Sequence, residues 1–424
     1  MSRPADSILH RQAERLYVED VCLEDIASAV GTPAYIYSAA YIRSAIAQLQ
    51  QAFAATPARI HYAVKANSNL SILALVHELG CGFDIVSGGE LSRVLAAGGD
   101  ATSVIFSGVG KSTEEIDFAL KAGIGCFNVE SAAELQRIAR RAENLRCTAP
   151  VSVRVNPNVD ANTHPYISTG LQQNKFGVPA ELALQLYEQA AASDTLVIKG
   201  IDCHIGSQIN EIEPLLEALQ RLLELVDELS SRAISLEHID LGGGMGITYQ
   251  DEAPLDIEAY GAGVAQLLAG RSLNIALEPG RSIVANAGVL LTRVEYLKPS
   301  VAEGAPNFAV VDAAMNDLIR PALYQAWHDV VVASPVESVD ATTWDIVGPV
   351  CETGDFLAKQ RELALMPDTL LAVLNAGAYG MVQASNYNSR GRPCEVLIDG
   401  DSFRVIRRRE TISDQLRLEQ GLVS

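Results

Sequence analysis

The sequence predicts an α/β fold, a (β/α)8 TIM-like barrel plus a mostly β C-terminal domain. From about residue 59 the chain repeats a short β-branched apolar run, a polar or glycine-rich elbow and a helical pattern. The unit occurs eight times. Eight strands close such a barrel, and ~220 residues from the first strand to the last is a usual size. After about Ala285 strand patterns continue with few long helices between them.

Each predicted barrel strand is a short run rich in apolar residues. The eight runs are His61–Ala66, Phe83–Val86, Val104–Ser107, Cys126–Val129, Val151–Asn156, Gly200–His204, His238–Leu241 and Asn274–Glu278. Three of the elbows read Ser-x-x-Glu, starting at Ser87, Ser112 and Ser131. In this pattern the serine oxygen accepts a helix N–H while the glutamate reaches back to the cap. The same helix-start signal at three equivalent places favours the barrel.

The C-terminal third is predicted to be a β domain. Its predicted strands are Val289–Leu297, Phe308–Val311, Asp345–Val347, Leu370–Leu374, Val396–Ile398 and Phe403–Ile406. The last two flank Asp399-Gly400, a turn signal that predicts a hairpin. The expected organisation is an N-terminal segment, 1–35, that packs with the β domain, a cofactor-binding barrel of residues 36–285, and a β domain of residues 286–424.

Composition excludes several classes of protein. The 424 residues include 32 Lys and Arg against 52 Asp and Glu, a net charge of −20. A chain this acidic is a poor partner for nucleic acid, whose phosphates it repels. The seven cysteines are scattered without a C-x-x-C pair, so we expect neither disulfides nor a metal site. No signal-peptide core and no run of 18 apolar residues occurs, which predicts a cytoplasmic protein without a membrane span.

Glycine-rich loops at the ends of the last predicted strands suggest a phosphate site. Gly242–Gly244 follows strand seven, and Glu278-Pro279-Gly280-Arg281 ends strand eight. Barrels commonly bind phosphate after these two strands, and glycine lets backbone N–H groups approach an anion. Three glycines alone would favour a tight loop without a ligand; their position favours phosphate. Gly108–Ser112 resembles the end of a P-loop, but Ile105 stands where that motif needs glycine.

A lysine and a histidine follow the first and sixth predicted strands. Lys65 ends an apolar strand, where it either extends into water or, partly desolvated, forms an imine with an aldehyde. His204 is either a core histidine or a flat ring facing a cofactor. These residues together suit pyridoxal 5'-phosphate, a cofactor that stabilises carbanions. The lysine would take its aldehyde, the glycines its phosphate and Glu278 its pyridine nitrogen.

Motifs in order along nearly the whole chain carry a specific resemblance. They are Tyr62–Asn67, Asn156–Val159, His164–Gly170, Asn174–Gly177, His204–Gln208, Gly242–Gly244, Glu278–Arg281, Met315–Tyr324, Cys351–Asp355 and Ala376–Met381. The set resembles the pyridoxal-phosphate decarboxylases that share the alanine racemase fold, and among them the bacterial diaminopimelate decarboxylases. The resemblance implies decarboxylation of meso-2,6-diaminopimelate to L-lysine and CO2 through a pyridoxal-phosphate imine, the last step of lysine biosynthesis.

The resemblance also implies roles for individual residues. Lys65 would carry the cofactor as an imine, and His204 would stack on its ring. The cofactor phosphate and ring nitrogen would be bound by Ser207, Gly243, Gly244, Glu278, Gly280, Arg281 and Tyr379. The substrate would be bound by Arg281, Arg320, Tyr324, Glu352 and Tyr379. Cys351 would reprotonate the carbanion, from a segment that reaches the partner's active site in a homodimer.

Elementary chemistry agrees with these roles and leaves alternatives open. Arginines bind carboxylates bidentately, and a thiol with a reference pKa of ~8.5 is a reasonable proton donor near neutral pH. The alternatives on the same scaffold are an ornithine, arginine or carboxynorspermidine decarboxylase and, less favoured, a racemase. A substrate without a distal carboxylate would have less need of Arg320. The alternative outside enzymes is an inactive homologue that only binds a partner. Such a protein should have lost Lys65, Cys351 or the phosphate loops, and this chain keeps them all.

Overall fold

The computed structural model describes residues 8–160, 175–302, 304–334, 336 and 339–422. The chain divides into two compact units. The barrel unit comprises Ala45–Ile247 and Ala253–Ser282. The β unit comprises Met1–Ser44, Thr248–Glu252 and Ile283–Ser424. The domain limits expected from the sequence, 36–285 and 286–424, stay predictions. The sequence motif His164–Gly170 and residue Asn174 lie outside the described residues.

Strands and helices of the described residues are numbered along the chain. The strands are β1 (Leu9–Gln12), β2 (Arg15–Val18), β3 (Val21–Cys22), β4 (Ala34–Ser38), β5 (Ala58–Ala63), β6 (Gly82–Ile85), β7 (Val104–Phe106), β8 (Cys126–Val129), β9 (Ala149–Arg154), β10 (Leu196–Asp202), β11 (His238–Asp240), β12 (Asn274–Leu277), β13 (Gly288–Lys298), β14 (Asn307–Val311), β15 (Val330–Val332), β16 (Thr342–Val347), β17 (Phe356–Leu363), β18 (Leu370–Val373), β19 (Cys394–Asp399) and β20 (Ser402–Arg407). The α-helices are α1 (Leu23–Val30), α2 (Ala39–Ala52), α3 (Leu70–Glu78), α4 (Gly88–Ala96), α5 (Thr113–Ala122), α6 (Ala132–Leu145), α7 (Ala180–Ala191), α8 (Glu213–Ser231), α9 (Ile257–Leu267), α10 (Arg281–Val284), α11 (Arg320–Tyr324) and α12 (Ile412–Leu416).

Within the described part of the barrel unit, eight parallel strands form a closed barrel, β5 to β12, and β12 pairs back with β5. Each overlaps one of the predicted runs, so the predicted fold class is confirmed. The first strand ends earlier than predicted, at Ala63, and Lys65 lies in a 3-10 turn, Val64–Ala66. The Tyr62 hydroxyl donates to the carbonyl of Asn67 at 3.0 Å, which holds the chain in this turn.

The serine caps that predicted the elbows are present at α4, α5 and α6. The oxygens of Ser87, Ser112 and Ser131 each accept the backbone N–H of the glutamate three residues later. Of these three helices, only α5 has the reciprocal capping box. The other two glutamates, Glu90 and Glu134, instead accept the N–H of the residue before the cap. The capping serines therefore fix where each strand turns into a helix.

The described residues of the β unit form a nine-stranded sheet and a three-stranded sheet. The larger sheet has the order β17-β16-β14-β13-β4-β19-β20, with β18 beside β13 and β15. The predicted hairpin is present, with Ile398 opposite Phe403 and Asp399 opposite Ser402. The apolar core of the unit includes Leu16, Leu23, Ile36 and Leu291, all fully buried. Among the described residues, no helix is both long enough and apolar enough to cross a membrane.

The P-loop-like segment is a structural element of the barrel unit. The ammonium of Lys111 donates to the carbonyls of Gly108 and Asn128 at 2.8 and 2.7 Å, and to Glu134 at 2.7 Å. Its side chain is 1% exposed. A lysine held in this way cannot reach a nucleotide phosphate, which agrees with the sequence argument from Ile105.

Candidate active site

The ammonium of Lys65 emerges where the first barrel strand ends. Its Nζ lies 2.6 Å from Oδ2 of Asp84 on β6, the residue that pairs with Ala63 at the end of β5. The Lys65 side chain is 36% exposed, whereas that of Asp84 is fully buried. The lysine is therefore anchored by a buried carboxylate while its amine remains accessible. An accessible amine at the end of a barrel strand can form an imine with an aldehyde.

Three further carboxylates converge near this end of the barrel. Asp202, Asp240 and Glu278 are buried, and one oxygen of each lies within 4.8 Å of the others. Burial raises the pKa of Glu278 well above its usual value, and the neighbouring Asp240, Asp84 and Asp202 add to this effect. Burial also raises the pKa of Asp240, to about 6, although the N–H of Gly242 opposes the shift. Close, buried carboxylates retain protons because they cannot all be ionised.

A buried arginine partly balances this negative charge. Arg154, at the end of β9, lies 3.2 Å from Glu130 and 3.7 Å from Asp202. It also donates to the carbonyl of His204 at 3.4 Å. Glu130 accepts the N–H groups of Gly108 and Gly177 at 3.0 and 2.9 Å. The ion pair of Arg154 and Glu130 therefore connects the loops after β7, β9 and β10.

The ring of His204 is held in a neutral form. Its Nδ1 lies 3.2 Å from the backbone N–H of Gly243, which can only donate, so Nδ1 is the acceptor. Burial lowers the pKa of His204 well below its usual value, and the charges of Arg154 and Lys65 add to the effect. A neutral imidazole ring beside the glycine loop suits contact with a flat, uncharged ring face.

The glycine loop is packed too tightly for any side chain. A Cβ atom on Gly243 would lie 2.1 Å from the carbonyl oxygen of Glu278, and one on Gly244 would lie 2.3 Å from that of Gly206. Gly242 and Gly244 also have φ angles of +64° and +92°. The bare backbone of this loop is therefore required by its neighbours. The N–H groups of Gly242 and Gly243 donate to Asp240 and His204, which leaves the N–H of Gly244 as the donor of this loop for an anion.

The loops after β10 and β11 are joined side by side. The N–H of Ile209 donates to the carbonyl of Gly244, and the N–H of Gly246 donates to that of Ile209, both at 2.8 Å. Arg281, which follows β12, donates to Oγ of Ser207 on the loop after β10 at 2.8 Å. The hydroxyl, the guanidinium and the glycine loop that were predicted to bind phosphate thus come together in one rigid arrangement.

Two predicted substrate residues lie at either end of α11 in the β unit. Arg320 is 7% exposed, and its guanidinium carbon lies 6.0 Å from the ring centre of Tyr324 and 5.2 Å from that of Tyr249. Its Nε also donates to Nε2 of His328 at 3.3 Å. The structure therefore brings Arg320 and Tyr324 together and adds two aromatic neighbours.

The remaining predicted residues of the β unit lie in loops. Cys351 is exposed, and its backbone N–H donates to Oδ1 of Asn388 at 2.8 Å. Glu352 accepts from the hydroxyl of Tyr387 at 3.1 Å. Tyr379 has a left-handed backbone with a φ of +56°, which is uncommon for a bulky residue. Cys351 and Glu352 are held by the segment that contains Tyr387 and Asn388.

Comparison with known proteins identifies the family. The family described as "Pyridoxal-dependent decarboxylase, pyridoxal binding domain" matches residues 39–285. The diaminopimelate decarboxylase of Pseudomonas aeruginosa is 55% identical over 409 residues, 96% of this chain and 97% of that protein. The chain belongs to the diaminopimelate decarboxylase family. The enzyme of that name from Neisseria meningitidis serogroup B is also 55% identical, over 95% of this chain and 97% of its own length. The crystal structure of the Helicobacter pylori diaminopimelate decarboxylase complexed with L-lysine has a TM-score of 0.91 at 43% identity, covering 94% of this chain and all of that one.

The barrel residues fit the cofactor of this family. An accessible amine at Lys65 suits the aldehyde, and the tight loop at Gly243 and Gly244 suits the phosphate. The buried carboxyl of Glu278, 3.4 Å from the hydroxyl of Ser107, suits a ring nitrogen. The predicted cofactor, pyridoxal 5'-phosphate, is confirmed by family membership.

Several residues of the candidate site were not predicted from the sequence. They are Asp84, Glu130, Arg154, Asp202 and Asp240 in the barrel unit, and Tyr249 and His328 in the β unit. The aspartates carry a signal that could have found them, since each is an acidic residue at or next to the last position of a short barrel strand. Tyr249 and His328 carry no such signal.

Proposed function

We propose that this protein decarboxylates meso-2,6-diaminopimelate to L-lysine and CO2 with pyridoxal 5'-phosphate. The observation that carries the proposal is the accessible Lys65 amine, held 2.6 Å from a buried carboxylate at the end of a barrel strand. The relatives that bear the name of this activity cover nearly the whole chain, which adds the substrate. When bound, the cofactor supplies an electron sink for the carbanion that forms as CO2 leaves.

The barrel residues hold the cofactor and control its charge. Lys65 would hold the cofactor's aldehyde through its amine. Glu278 would hold the ring nitrogen, and its neighbours Asp240 and Asp202 favour retention of a proton within this group of carboxyls. The loop of Gly243 and Gly244 would lie against the phosphate, with the N–H of Gly244 as a donor, beside the hydroxyl of Ser207 and the guanidinium of Arg281. The Gly243 N–H instead holds the ring of His204, which would face the cofactor ring.

The β-unit residues bind the substrate and move a proton. Arg320 pairs with the distal carboxylate, since a guanidinium binds a carboxylate through two parallel hydrogen bonds. Glu352 pairs with the distal ammonium, and Tyr324 and Tyr379 contact the rest of the substrate. The thiol of Cys351 delivers a proton to the carbon from which CO2 has departed. A distal carboxylate is the feature that ornithine and arginine lack, so Arg320 favours diaminopimelate.

We also propose that the enzyme is a homodimer with shared active sites. Cys351 and Glu352 are exposed in the single chain, and family resemblance assigns them to the active site of the partner subunit. Mixing two inactive variants, Lys65→Ala and Cys351→Ala, should restore activity if subunits exchange, because one site of the mixed dimer has both residues intact. Activity of the mixture no greater than the sum of its parts would contradict shared sites.

The proposed location is the cytoplasm. All seven cysteines lie in the described residues and are free thiols, as expected for a reducing compartment.

The function itself is tested by product analysis. With pyridoxal phosphate and meso-diaminopimelate, the protein should release CO2 and L-lysine in equal amounts. CO2 without L-lysine, or no product, would contradict the proposal.

A further inference from the structure

His328 lies at the centre of a network around Arg320. Its side chain is fully buried, and the residue lies in the segment of chain that joins α11 to β15. On one side its Nε2 lies 3.3 Å from Nε of Arg320, and on the other its Nδ1 lies 2.8 Å from the carbonyl oxygen of Leu374, directly after β18. The ring therefore connects the arginine side chain to the backbone at the end of β18, a strand of the larger sheet of the β unit.

The two contacts determine where the proton of the ring is. A guanidinium N–H can only donate, so Nε2 must accept from Arg320 through its lone pair. A carbonyl oxygen can only accept, so Nδ1 must carry the hydrogen that it donates to Leu374. His328 is thus a neutral imidazole with its proton on Nδ1. In this form it gives Arg320 a fixed acceptor that bears no negative charge.

The surroundings of the ring hold it in one orientation. The ring of Tyr249 meets His328 edge to face, with centres 5.6 Å apart and planes at 79°, and the same tyrosine lies 5.2 Å from the guanidinium of Arg320. Asn375 donates to the carbonyl of Thr248 at 3.1 Å, which anchors the tyrosine's segment. The guanidinium of Arg361 donates to the backbone carbonyl of His328 at 2.9 Å.

An acceptor without charge has a specific advantage for a substrate-binding arginine. A carboxylate at the position of Nε2 would neutralise Arg320 and compete with the substrate's carboxylate for it. A neutral imidazole fixes the guanidinium plane without placing a negative charge beside it. Fixing the plane also reduces the side-chain entropy that is lost when the substrate binds.

We propose that His328 is a positioning residue, which holds the guanidinium of Arg320 in the orientation that recognises the distal carboxylate of the substrate. This inference rests on the proposed function, in which Arg320 binds that carboxylate. His328 does not touch the substrate, and it acts on binding rather than on the chemical step.

Three variants separate the two hydrogen bonds of the ring. His328→Gln keeps an amide oxygen where Nε2 accepts from Arg320. His328→Asn keeps an amide N–H where Nδ1 donates to Leu374 but has no acceptor for Arg320. His328→Leu removes both bonds. Melting temperature and the visible absorbance of the bound cofactor show which variants fold and load normally, and kinetics are read only from those.

The expected result is a change in KM with little change in kcat. For meso-diaminopimelate, KM should rise about tenfold in His328→Asn and His328→Leu, the size of one lost hydrogen bond to a charged group. His328→Gln should stay within about threefold of the parent, well short of that loss. Equal KM values in all folded variants, or a loss confined to kcat, would overturn the proposal.

A parallel Arg320→Met variant separates failure of this inference from failure of the proposed function. If Arg320→Met raises KM for diaminopimelate and folded His328→Asn does not, the positioning role of His328 is wrong while Arg320 keeps its own. If neither variant raises KM, the substrate role of Arg320 is wrong, and the inference falls with it. If the parent enzyme releases no CO2 from diaminopimelate, the proposed function fails first.

Discussion

The ammonium of Lys65, in the turn after β5, and the carboxylate of Asp84, on the neighbouring strand β6, form an ion pair 2.6 Å long. In the described residues, Oδ1 of Asp84 is buried without a hydrogen-bond partner, so the lysine is the main compensation for this charge. A buried charge that loses its partner destabilises a protein strongly. The pair therefore links the reactive amine to the stability of the barrel, and the two effects can be separated.

Replacing Lys65 should affect both chemistry and stability. Lys65→Ala should abolish the visible absorbance of attached cofactor and reduce turnover below detection. It should also lower the free energy of unfolding of the apoenzyme by about 1–3 kcal/mol, since Asp84 is left uncompensated. The double variant with Asp84→Asn should recover most of that stability in chemical denaturation, yet stay inactive. A Lys65→Ala enzyme that retains the absorbance would exclude Lys65 as the attachment site.

A methyl group on the phosphate loop should weaken cofactor binding. Gly243→Ala places a Cβ atom 2.1 Å from a backbone oxygen, and the loop must shift to accommodate it. Overpacking of this kind costs about 1–3 kcal/mol, so the Kd for pyridoxal phosphate should rise about tenfold or more. Gly110→Ala is the matched control, because no atom lies within 4 Å of its Cβ. Equal affinities in the two folded variants would argue against the loop as the phosphate site.

Removing the thiol of Cys351 should slow the reaction without releasing the cofactor. Cys351→Ala is expected to reduce kcat by about 10²–10⁴-fold, the usual contribution of a positioned general acid. Cys351 is exposed in the single chain, so the fold of the β unit should not depend on its side chain. Pre-steady-state and steady-state rates, with cofactor absorbance as the loading control, provide the test. A near-normal kcat would remove the proton-donor role.

The buried carboxyl cluster should give the apoenzyme a characteristic pH dependence. Burial raises the pKa of Asp240 to about 6, whereas an unfolded aspartate has a pKa of about 3.9. The folded state therefore binds the proton more tightly, and this contribution to stability is present at low pH and is lost as pH rises from about 4 through 6. The Glu278 carboxyl acts in the same direction.

Asp240→Asn isolates this effect, because the amide has no proton to lose. The free energy of unfolding of the parent minus that of the variant should fall as pH rises from about 4 to about 6 and level off above about 7 in denaturant titrations of the apoenzymes. The lowered pKa of His204 acts in the opposite direction, since a neutral histidine loses stability as pH falls, but both proteins contain it. A difference that is constant with pH would show that Asp240 stays ionised throughout.

The barrel was predictable because its signals are local. Apolar runs recur eight times, three of them are followed by serine caps, and strand ends in a parallel barrel must share one edge. That geometry alone placed Lys65, His204 and Gly243 at the same end. The roles of Arg320 and Cys351 came from family resemblance rather than from any local pattern.

The remainder of the site depends on contacts that no short pattern encodes. His328 bonds to the carbonyl of Leu374, 46 positions along the chain, and any residue at that position would offer the same carbonyl. Tyr249 joins the network from the five-residue segment Thr248–Glu252 of the β unit. The role of Asp84 was not predicted for a different reason. The partner of a charged residue in an apolar strand cannot be identified until the pairing of the strands is known.

The central claim is tested most directly by the initial rate of CO2 release from meso-diaminopimelate, ornithine and arginine, each offered separately to the pyridoxal-phosphate-loaded enzyme. Arg320 and Glu352 together match a distal carboxylate and a distal ammonium on the same carbon, so we expect release from diaminopimelate alone. Release from ornithine or arginine but not from diaminopimelate would contradict the account of the substrate site, and no release from any of the three by a cofactor-loaded enzyme would contradict the proposed function.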